Sequence, residues 1–408
     1  MTTRLIREDG QATVMAAVTL PIFCGFLGLA LDVGSFYTAR QHMQAAADAA
    51  AQAAILELKR GHTTSMLDAA IDAIESNGVD AGDVTMNYPP KAGQHIGDGK
   101  YVEVIVGETV PTMFVRFVLP KNSFGVSGRA VAGLSGLPPA GVFILNRSRA
   151  RSLEVSGGSS LTSDLDVWVS SSSSSAVSVG GGSCINARAV GVTGGYEPGC
   201  YSSTPIPGMV PDADPLASLT PPSVGACTAV NLTVKKQTTT LDPGVYCGGL
   251  DINTNSNVTL RPGVYVMRGG GFNVKQSDVN GAGVVIYITD DAMHEPAGVS
   301  IDSNATVRLS APATGPHAGV VVFYDRALTP QTVPFSVHSS AQTRFEGTIY
   351  ALNQHLDFLG GTKDNDMPPW TIMVADTVRI HGGSDLRIPA DFDRSAVPSP
   401  LTSGVIVE

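Results

Sequence analysis

Charged side chains are scarce in this 408-residue sequence: Asp, Glu, Lys and Arg together make up 15% of it. The basic ones are scarcer still, with 26 Lys and Arg against 36 Asp and Glu, so the formal net charge is −10. Because proteins bind phosphate backbones through a surplus of Lys and Arg, this balance argues against nucleic acid as a partner. Low charge combined with many β-branched residues also argues against a wholly disordered chain.

Aromatic residues are also few, at 6%, whereas glycine and proline are abundant, at 45 and 26 residues. The glycines do not recur in triplets, which excludes collagen. The length allows two or three domains with a sizeable core. The composition therefore predicts a turn-rich β protein to which a segment of a different kind is attached.

The different segment is the run from Ala12 to Leu31, which contains no charged residue. As a helix with a rise of about 1.5 Å per residue, these 20 residues would be about 30 Å long, the hydrocarbon thickness of a bilayer. We predict a transmembrane anchor at residues 12–34, with Pro21 placed to kink it. A cleaved signal peptide, whose apolar region is shorter, and a buried core helix are the competing interpretations.

The charges that flank the run indicate its orientation. Arg4 and Arg7 precede it and Arg40 follows it, a bias that favours a cytoplasmic N-terminal segment at residues 1–11. The rest of the chain is then expected outside the cytoplasm, as a single-pass protein of the inner membrane with a periplasmic or extracellular C-terminal region.

Residues 35–60 are rich in alanine, with Gln, Glu and Lys among them, so we predict a helical stalk that continues the anchor. Gln44, Asp48 and Gln52 share one face at a spacing of four, and alanines line another. Small residues permit close approach between helices. The stalk is therefore either a solvated helix that leaves the membrane or a packing helix like that of a pilin.

Residues 61–137 alternate between helical and strand-like patterns and predict a small α+β domain without a catalytic constellation. The predicted helices are Met66–Ser76 and Pro111–Leu119, and the predicted strands are Val84–Tyr88, Tyr101–Val110 and Val126–Leu134.

After Pro138 the sequence consists of short β-runs broken by Gly, Ser and Asn. The string Asp242-Pro-Gly-Val-Tyr246 recurs 19 residues later as Arg261-Pro-Gly-Val-Tyr265, and similar strings follow. Three short strands in each period of about 19 residues are typical of a parallel β-helix, a solenoid, which we predict for residues 138–390, followed by a tail at 391–408. Runs at 153–179 would form its first coils and runs at 371–380 its last, and a β-sandwich is the alternative.

Five cysteines are present, of which Cys24 lies in the anchor. The other four are Cys184, Cys200, Cys227 and Cys247, an even number that indicates two disulfides in an oxidising compartment. Their spacing favours pairing each with its sequence neighbour, although three pairings are open. The short C-x₂-C spacings of a zinc site are absent.

Some polar strings are similar to fragments of polysaccharide-hydrolase motifs, and β-helices host such enzymes. These candidate residues are Asp251, Asn255, Asp290, Asp291, Arg379 and His381. At about 19 residues per coil, Asp291 and His381 would lie nearly five coils apart, about 20 Å or more, too far to act on one glycosidic bond. We therefore expect no catalytic residues and no cofactor.

Other polar groups have simpler explanations than ligand binding. His317, His338, His355 and His381 are scattered, so structural or exposed roles are expected for them. The cluster Asp364-Asn365-Asp366 is better explained as a polar loop than as a Ca²⁺ site. The run Ser170–Ser175 predicts a polar sheet face or loop, with an adhesive ladder as the alternative.

The N-terminal strings resemble a known family. Gly10-Gln-Ala-Thr-Val, the apolar run with Pro21, Gly28-Leu-Ala-Leu-Asp32-Val-Gly34, Tyr37-x-x-Arg40 and Gln44-Ala-Ala-Ala-Asp48 together look like the N-terminal segment of TadE/TadG-like proteins of the bacterial tight-adherence (Flp) pilus assembly system. The resemblance covers residues 8–60 and continues more weakly through 101–134. It implies a membrane protein of pilus assembly or surface attachment, with assembly proteins, pilus subunits or a surface glycan as partners.

Two sequence motifs of pilin-related or TadG-type proteins are not found in this sequence. A prepilin cleavage site would have Glu at the fifth position after Gly10, where this sequence has Met15, so we predict no processing of that kind. The Asp-x-Ser-x-Ser motif of von Willebrand A-like domains, which many TadG-type proteins carry, is absent, so metal-dependent adhesion is not implied. A carbohydrate-active enzyme and a surface adhesin unrelated to pili are the alternative functions.

Overall fold

The computed structural model describes residues 9–59, 62–80, 83–117, 121–135, 139–302, 304–338, 340–360, 367–401 and 403–407. Its chain divides into two compact units, one formed by Met1–Ser135 with Ser403–Glu408 and the other by Gly136–Thr402. The long N-terminal helix and the predominance of β structure after it confirm the coarse prediction from the sequence.

The described helices are α1 (Asp9–Lys59) and α2 (Met66–Ser76), with 3₁₀ turns at Thr63–Ser65, Val115–Phe117 and Phe392–Arg394. The strands are β1 (Val84–Asn87), β2 (Tyr101–Pro111), β3 (Ser123–Ser135), β4 (Ala140–Ile144), β5 (Leu153–Val155), β6 (Ser160–Ser163), β7 (Asp166–Val169), β8 (Val177–Val179), β9 (Cys184–Ala187), β10 (Val190–Val192), β11 (Cys200–Tyr201), β12 (Ala229–Lys235), β13 (Thr238–Leu241), β14 (Gly244–Asn253), β15 (Asn257–Leu260), β16 (Gly263–Arg268), β17 (Gly270–Lys275), β18 (Asp278–Gly281), β19 (Val284–Thr289), β20 (Pro296–Asp302), β21 (Thr306–Ser310), β22 (Val320–Tyr324), β23 (Phe335–His338), β24 (Gln342–Leu359), β25 (Thr371–His381), β26 (Asp385–Ile388) and β27 (Ser403–Ile406).

In the first unit, the C-terminal half of α1 packs on an antiparallel sheet of order β1-β2-β3-β27 and on α2. Five alanines make up most of the buried face of the stalk; they are Ala46, Ala47, Ala50, Ala51 and Ala54. Their small size lets the helix approach β3 so closely that a Cβ on Gly128 would lie 2.4 Å from the backbone of Met43. The small-residue face predicted for helix–helix packing therefore packs mainly on a sheet within the same chain.

Two predictions for this unit need correction. In the described part of the predicted helix Pro111–Leu119, the helical residues are those of the 3₁₀ turn Val115–Phe117, because Pro111 still belongs to β2 and is paired with Ser123. The segment 391–408, expected as a tail, contains β27, whose Val405 is in register with Gly133. Pairing with β27 satisfies the edge of β3, whose backbone groups would otherwise face solvent.

The strands of the second unit pair in parallel, and corresponding strands recur in successive layers of the chain. We define a layer as a run of strands or strand segments that is paired, strand by strand, with the run before it or the run after it. By these pairings the layers follow the order 229–241, 244–260, 263–281, 284–310, 320–346, 347–359, 371–388, 140–163, 166–187 and 190–201.

This order overturns the predicted positions of the first and last coils. The late strand β25 pairs with the early strands β4 and β5, through Val374↔Phe143 and Arg379↔Glu154. The chain therefore enters in the middle of the stack, leaves it after the layer 190–201, and resumes at the other end with the layer 229–241. Residues 202–228, which we call the linker, join these two ends. The sequence repeat reveals which runs are alike but not which runs are neighbours.

The predicted period of 19 is the offset where β13 pairs with β15, but it is not the general pairing distance. Tyr265 is in register with Gly244, an offset of 21 residues, and Val322 with Ile286, an offset of 36. The offset of 21 differs from the sequence period by two residues, so the same side chains still face inward. Larger offsets arise because loops such as 290–295 and 311–319 lengthen the later layers.

One corner of the stack carries a column of buried serines that the sequence analysis missed. The backbone N–H of Ser256 donates to Oγ of Ser277, that of Ser384 to Ser159, and that of Ser159 to Ser183. Each serine follows a residue of positive φ; these are Asn255, Gln276, Gly383, Gly158 and Gly182. The same hydrogen-bond pattern joins the layer 371–388 to the layer 140–163, which supports the order derived from strand register.

Candidate functional site

The first candidate region is the N-terminal half of α1, whose apolar side chains are exposed within the described structure. The segment Val14–Leu58 is, among the described residues, the single helix long and apolar enough to cross a membrane, with a mean hydropathy of 2.2 in its most apolar stretch. Phe23, Phe26 and Leu27 are each about two-thirds exposed. The helix continues through Pro21 without a break. This helix fits single-pass membrane anchoring.

Asp32, the first charge after the apolar run, is buried against the loop after β2. Its carboxylate accepts hydrogen bonds from the backbone N–H groups of Met113 at 3.0 Å, Phe114 at 2.8 Å and Val115 at 2.6 Å. Only 1% of Asp32 is exposed. A buried carboxylate is tolerated when hydrogen bonds replace its lost hydration, and here three N–H groups at the start of a 3₁₀ turn do so. The motif aspartate thus joins α1 to a distant loop.

Gln44 and Asp48, two further motif residues, lie on the buried side of the stalk. The Gln44 side chain donates to the backbone carbonyl of Arg129 and accepts from its N–H, at 2.8 and 3.2 Å. It also donates to Asp48 at 2.8 Å. The Gln44 amide thus bonds to both the N–H and the carbonyl of one β3 residue, as the backbone of a paired strand does. Gln44 and Asp48 therefore dock the stalk on the sheet.

The Arg129 side chain continues into a buried ion pair that the sequence analysis missed. Its Nε lies 2.7 Å from Glu103 Oε1, and Glu103, 1% exposed at its side chain, also accepts from Asn87 and from the Lys91 N–H. Burial alone would raise the pKa of Glu103, but these hydrogen bonds and the Arg129 charge outweigh it and hold the pKa below its ordinary value. The partners are up to 26 residues apart, and no local pattern signals such a pair.

The remaining motif residues form no described contact that would explain them structurally. Pro21, Gly34 and Arg40 are exposed, and a Cβ on Gly34 would meet nothing within 4 Å. Gly10 lies in α1, but its burial is not among the features that the structure describes. The family strings therefore divide into residues that hold the unit together and residues that face outward.

Both disulfides lie at the ends of the stack of the second unit. Cys184 and Cys200 are bonded, with Cα atoms 4.6 Å apart, and join the layer 190–201 to its neighbour. Cys227 and Cys247, with Cα atoms 5.6 Å apart, tie the chain just before β12 to β14. These are the pairings that the sequence spacing favours. Each bond fastens a terminal layer to the layer beside it; on the outer side of the layer 190–201, the described residues add the isolated bridge Gly191↔Ile206.

Three histidines, predicted as scattered, surround a single carboxylate. Asp357 lies 3.1 Å from Nε2 of His338, 3.0 Å from Nε2 of His381 and 4.0 Å from Nε2 of His355. They come together because His338 and His381 are each in register with Leu359 in successive layers. Burial lowers the pKa of His355, against the opposing effect of Asp357. His317 lies elsewhere and contacts the Thr220 carbonyl at 2.9 Å.

A column of polar side chains runs along this face of the stack. It consists of Thr233, Asp251, Asn273, Ser300, Ser336, Asp357, Arg379, Glu154 and Ser178, each in register with the next. Each member from Asp251 onward lies between two buried apolar residues of its strand. We call this set the polar column. Its members include Asp251 and Arg379, and Arg379 pairs with Glu154 at 3.5 Å.

The catalytic candidates are not brought together. Asp291 pairs with His294 at 2.6 Å and Arg268 at 3.4 Å in the loop after β19. His381 is at the end of β25, three strand spacings farther along the stack, or about 14 Å. The sequence predicted nearly five coils between Asp291 and His381. The true separation is smaller, because the layers between these two residues are longer than 19 residues. In the described part of the chain no cluster of three or more His, Cys, Asp or Glu is arranged to hold a metal ion.

The serine run is a polar loop. Ser170 accepts from the Asp212 N–H, and the hydroxyls of Ser171 and Ser172 donate to backbone carbonyls of Arg149 and Arg147. These bonds favour the structural role over an adhesive ladder. The cluster Asp364-Asn365-Asp366 lies outside the described residues.

A further cluster, without a local sequence signal, fixes the linker to the stack. Arg326 donates to the Tyr350 hydroxyl at 2.6 Å, to Asp214 at 3.3 Å and to the linker carbonyls of Leu216 and Leu219. Tyr350 in turn donates to Asp214 at 2.7 Å. Burial and the neighbouring Asp214 raise the pKa of Tyr350, so the hydroxyl keeps its proton for this bond.

The structure defines a class of protein with one apolar N-terminal helix, which fits single-pass anchoring, attached to predominantly β structure. Within that class, residues 10–61 match the family model Tad, described as "Putative Flp pilus-assembly TadE/G-like". The predicted resemblance of the N-terminal segment is thereby confirmed, and it associates the chain with pilus assembly. A search of curated proteins found no match, and neither did a search of solved structures.

Proposed function

We propose that this protein is a membrane-anchored, extracytoplasmic component of Tad/Flp-type pilus assembly or surface attachment, with a structural or binding role. The observation that carries the proposal is that the family match at 10–61 coincides with α1, where an exposed apolar half is followed by a half docked on a sheet. A role in which α1 enters the bilayer accounts for both halves. The exposed motif residues Gly34 and Arg40 then face assembly proteins or pilus subunits.

The region 139–401 is proposed to be a parallel β-helix that serves as a binding domain. In support, its strands pair in parallel with strands one layer later, and the Ser256–Ser277 pattern recurs at its corner. The separation of Asp291 from His381 supports a non-catalytic role. Turnover of a polysaccharide by the full chain would contradict this part of the proposal.

Placement of this region in the periplasm or outside the cell is part of the proposal. It is supported by the two disulfides, which persist in oxidising compartments, and by the N-terminal Arg residues. The test is thiol labelling of the full chain isolated from cells, before and after reduction. One reactive thiol before reduction, from Cys24, and five after it are expected, whereas five before reduction would contradict the placement.

Surface attachment is the second candidate, and the polar column favours it. A series of hydroxyl, amide and charged groups in register from Asp251 to Glu154 offers repeated hydrogen-bonding partners to an extended polar ligand such as a surface glycan. Ser300→Asp and Ser336→Asp would place new charges in the column without touching α1. They are expected to reduce adherence and leave piliation intact if attachment is the role.

The assembly role is tested by deleting the chain and restoring it as variants, with pili and adherence scored separately. Arg40→Ala removes an exposed motif side chain and is expected to reduce piliation, whereas Gln41→Ala, its exposed neighbour outside the motif, serves as the matched control. Membrane levels of both variants should equal those of the unmodified protein. Normal piliation and adherence in the deletion strain would contradict both candidate roles.

A further inference from the structure

The loop after β2 touches the apolar part of α1 as well as Asp32. The Phe114 ring packs on Gly28, where an added Cβ would lie 2.5 Å from its Cγ and Cδ1 atoms. Among the described residues of the span 14–31, Gly28 alone is buried. The contact therefore requires glycine, and it places an aromatic side chain against the uncharged run of the helix.

The position of the contact between Phe114 and Gly28 along α1 indicates how deep the loop lies in the bilayer. Gly28 precedes Asp32 by four residues, which is about 6 Å along the helix axis. If the uncharged run fills the hydrocarbon layer, Phe114 lies below the level of the first charge, at the edge of that layer. Backbone N–H groups at this depth need hydrogen-bond acceptors within the protein. The Asp32 carboxylate is the acceptor for the N–H groups of residues 113–115.

The exposed surface of the loop has the composition of a membrane interface. Met113 is 66% and Phe114 41% exposed, although both are large apolar side chains. Two basic residues follow them in the sequence: Arg116 in the 3₁₀ turn, and Lys121, whose ammonium lies 4.7 Å from the centre of the Phe124 ring. Apolar side chains at the tip with Lys or Arg beside them are typical of segments that lie at the boundary of headgroups and acyl chains.

We propose that residues 113–116 form a second membrane contact, inserted in the outer interface of the bilayer beside the anchor. The inference rests on the proposed anchoring by α1 and extends it: Asp32 and Gly28 position the loop so that Met113 and Phe114 enter the lipid. The lipid surface is the occupant because the exposed apolar tip is continuous with the exposed apolar run of α1. With two contacts, the first unit has a fixed orientation on the membrane, which a single helix would not give it.

The test measures depth in the bilayer with a fluorescent thiol label on the full chain in vesicles. Three proteins each carry one reactive thiol, since the other four cysteines are in disulfides: the unmodified chain labelled at Cys24, and Cys24→Ala combined with Met113→Cys or with Ile96→Cys. Ile96 is the matched control, because it is 64% exposed and also lies in a loop of the first unit. Lipids that carry a nitroxide quencher near the headgroup or near the bilayer centre report the depth of each label.

The expected result is quenching of the Met113→Cys label by the shallow quencher, by about twofold or more, with no quenching at Ile96→Cys and deep quenching at Cys24. Quenching at Cys24 without quenching at Met113→Cys would overturn the loop contact and leave the anchor intact. Absence of quenching at Cys24 would overturn the anchoring and the inference together. A blue-shifted Met113→Cys label that no lipid quenches would show a protein partner at the loop and would also overturn the inference.

Discussion

The carboxylate of Asp32 and the backbone nitrogen of Val115 lie 2.6 Å apart although 83 residues separate them in the sequence. This bond, with those to the two preceding N–H groups, makes the motif aspartate an internal cap of a distant loop. Asp32 therefore acts on the structure of the first unit, while Arg40, in the same family strings, faces outward. Substitutions at the two residues are expected to have different effects.

Asp32→Asn should release the loop without unfolding the sheet. The amide has one acceptor oxygen and presents an NH₂ group to N–H donors, so at least one of the three bonds is lost. Hydrogen exchange of the amides of residues 113–115 should accelerate on the order of tenfold or more. Asp72→Asn, at an exposed position on α2, is the control and should leave this exchange unchanged. Unchanged protection in Asp32→Asn would show that the cap is not needed.

Gly128→Ala should separate α1 from β3. The added Cβ would lie 2.4 Å from the Met43 backbone, and backbone atoms cannot move aside as a flexible side chain would. We expect the free energy of unfolding of the first unit to fall by about 1–3 kcal/mol. Gly125→Ala on the same strand is the matched control, since a Cβ there meets nothing within 4 Å. Urea denaturation in detergent, followed by hydrogen exchange of β3, measures both, and equal stability of the two variants would contradict the close approach.

Glu103 should make the first unit sensitive to acid. Its pKa in the folded state is below the ordinary value of 4.5, so the ionised carboxylate stabilises the fold above about that pH. This contribution is lost as the pH falls through the lowered pKa. Glu103→Gln should therefore lower stability at neutral pH and flatten its acid dependence, whereas Glu108→Gln, exposed on the same strand, should change neither. Parallel pH profiles for the unmodified chain and Glu103→Gln would refute this assignment.

Local patterns predicted the elements of this protein well. Helix α2 has the predicted bounds Met66–Ser76, and β2 extends the predicted strand by one residue. These patterns are periodicities of neighbouring residues, such as the alternation around Val104, and they express which face of each element is buried. The two disulfide pairings were also accessible, because cysteines 16 and 20 residues apart lie in adjacent layers.

The order of the layers was not accessible in the same way. The sequences of β25 and β4 carry no mark that they are neighbours, because parallel strands with buried Val, Ile and Phe are interchangeable in composition. The cluster of His338, His381 and Asp357 depends on that register and on offsets between paired strands that vary from 16 to 36 residues in layers that follow each other in the sequence. Contacts of the motif residue Asp32 depended on a loop more than 80 residues away. Local propensity fixes neither kind of contact.

Removal of either disulfide should loosen one end of the stack and not the other. By chain entropy, closing loops of 16 and 20 residues contributes about 3 kcal/mol each. Serine in place of Cys184 and Cys200 should increase hydrogen exchange in 190–201, and serine in place of Cys227 and Cys247 should increase it in 229–241. Each double variant is the control for the other. Equal loosening at both ends in either variant would contradict the layer order that separates them.

Arg326→Lys should free the linker while the stack stays folded. A lysine keeps the charge but lacks the planar fork that reaches the Tyr350 hydroxyl and the carbonyls of Leu216 and Leu219 together. Limited proteolysis should therefore cut within residues 207–228 several times faster than in the unmodified chain. Arg261→Lys is the matched control, because that arginine is 64% exposed at its side chain and pairs only at the surface, with Asp242. If cleavage in the linker is equally slow in both variants, the Arg326 cluster does not hold the linker in place.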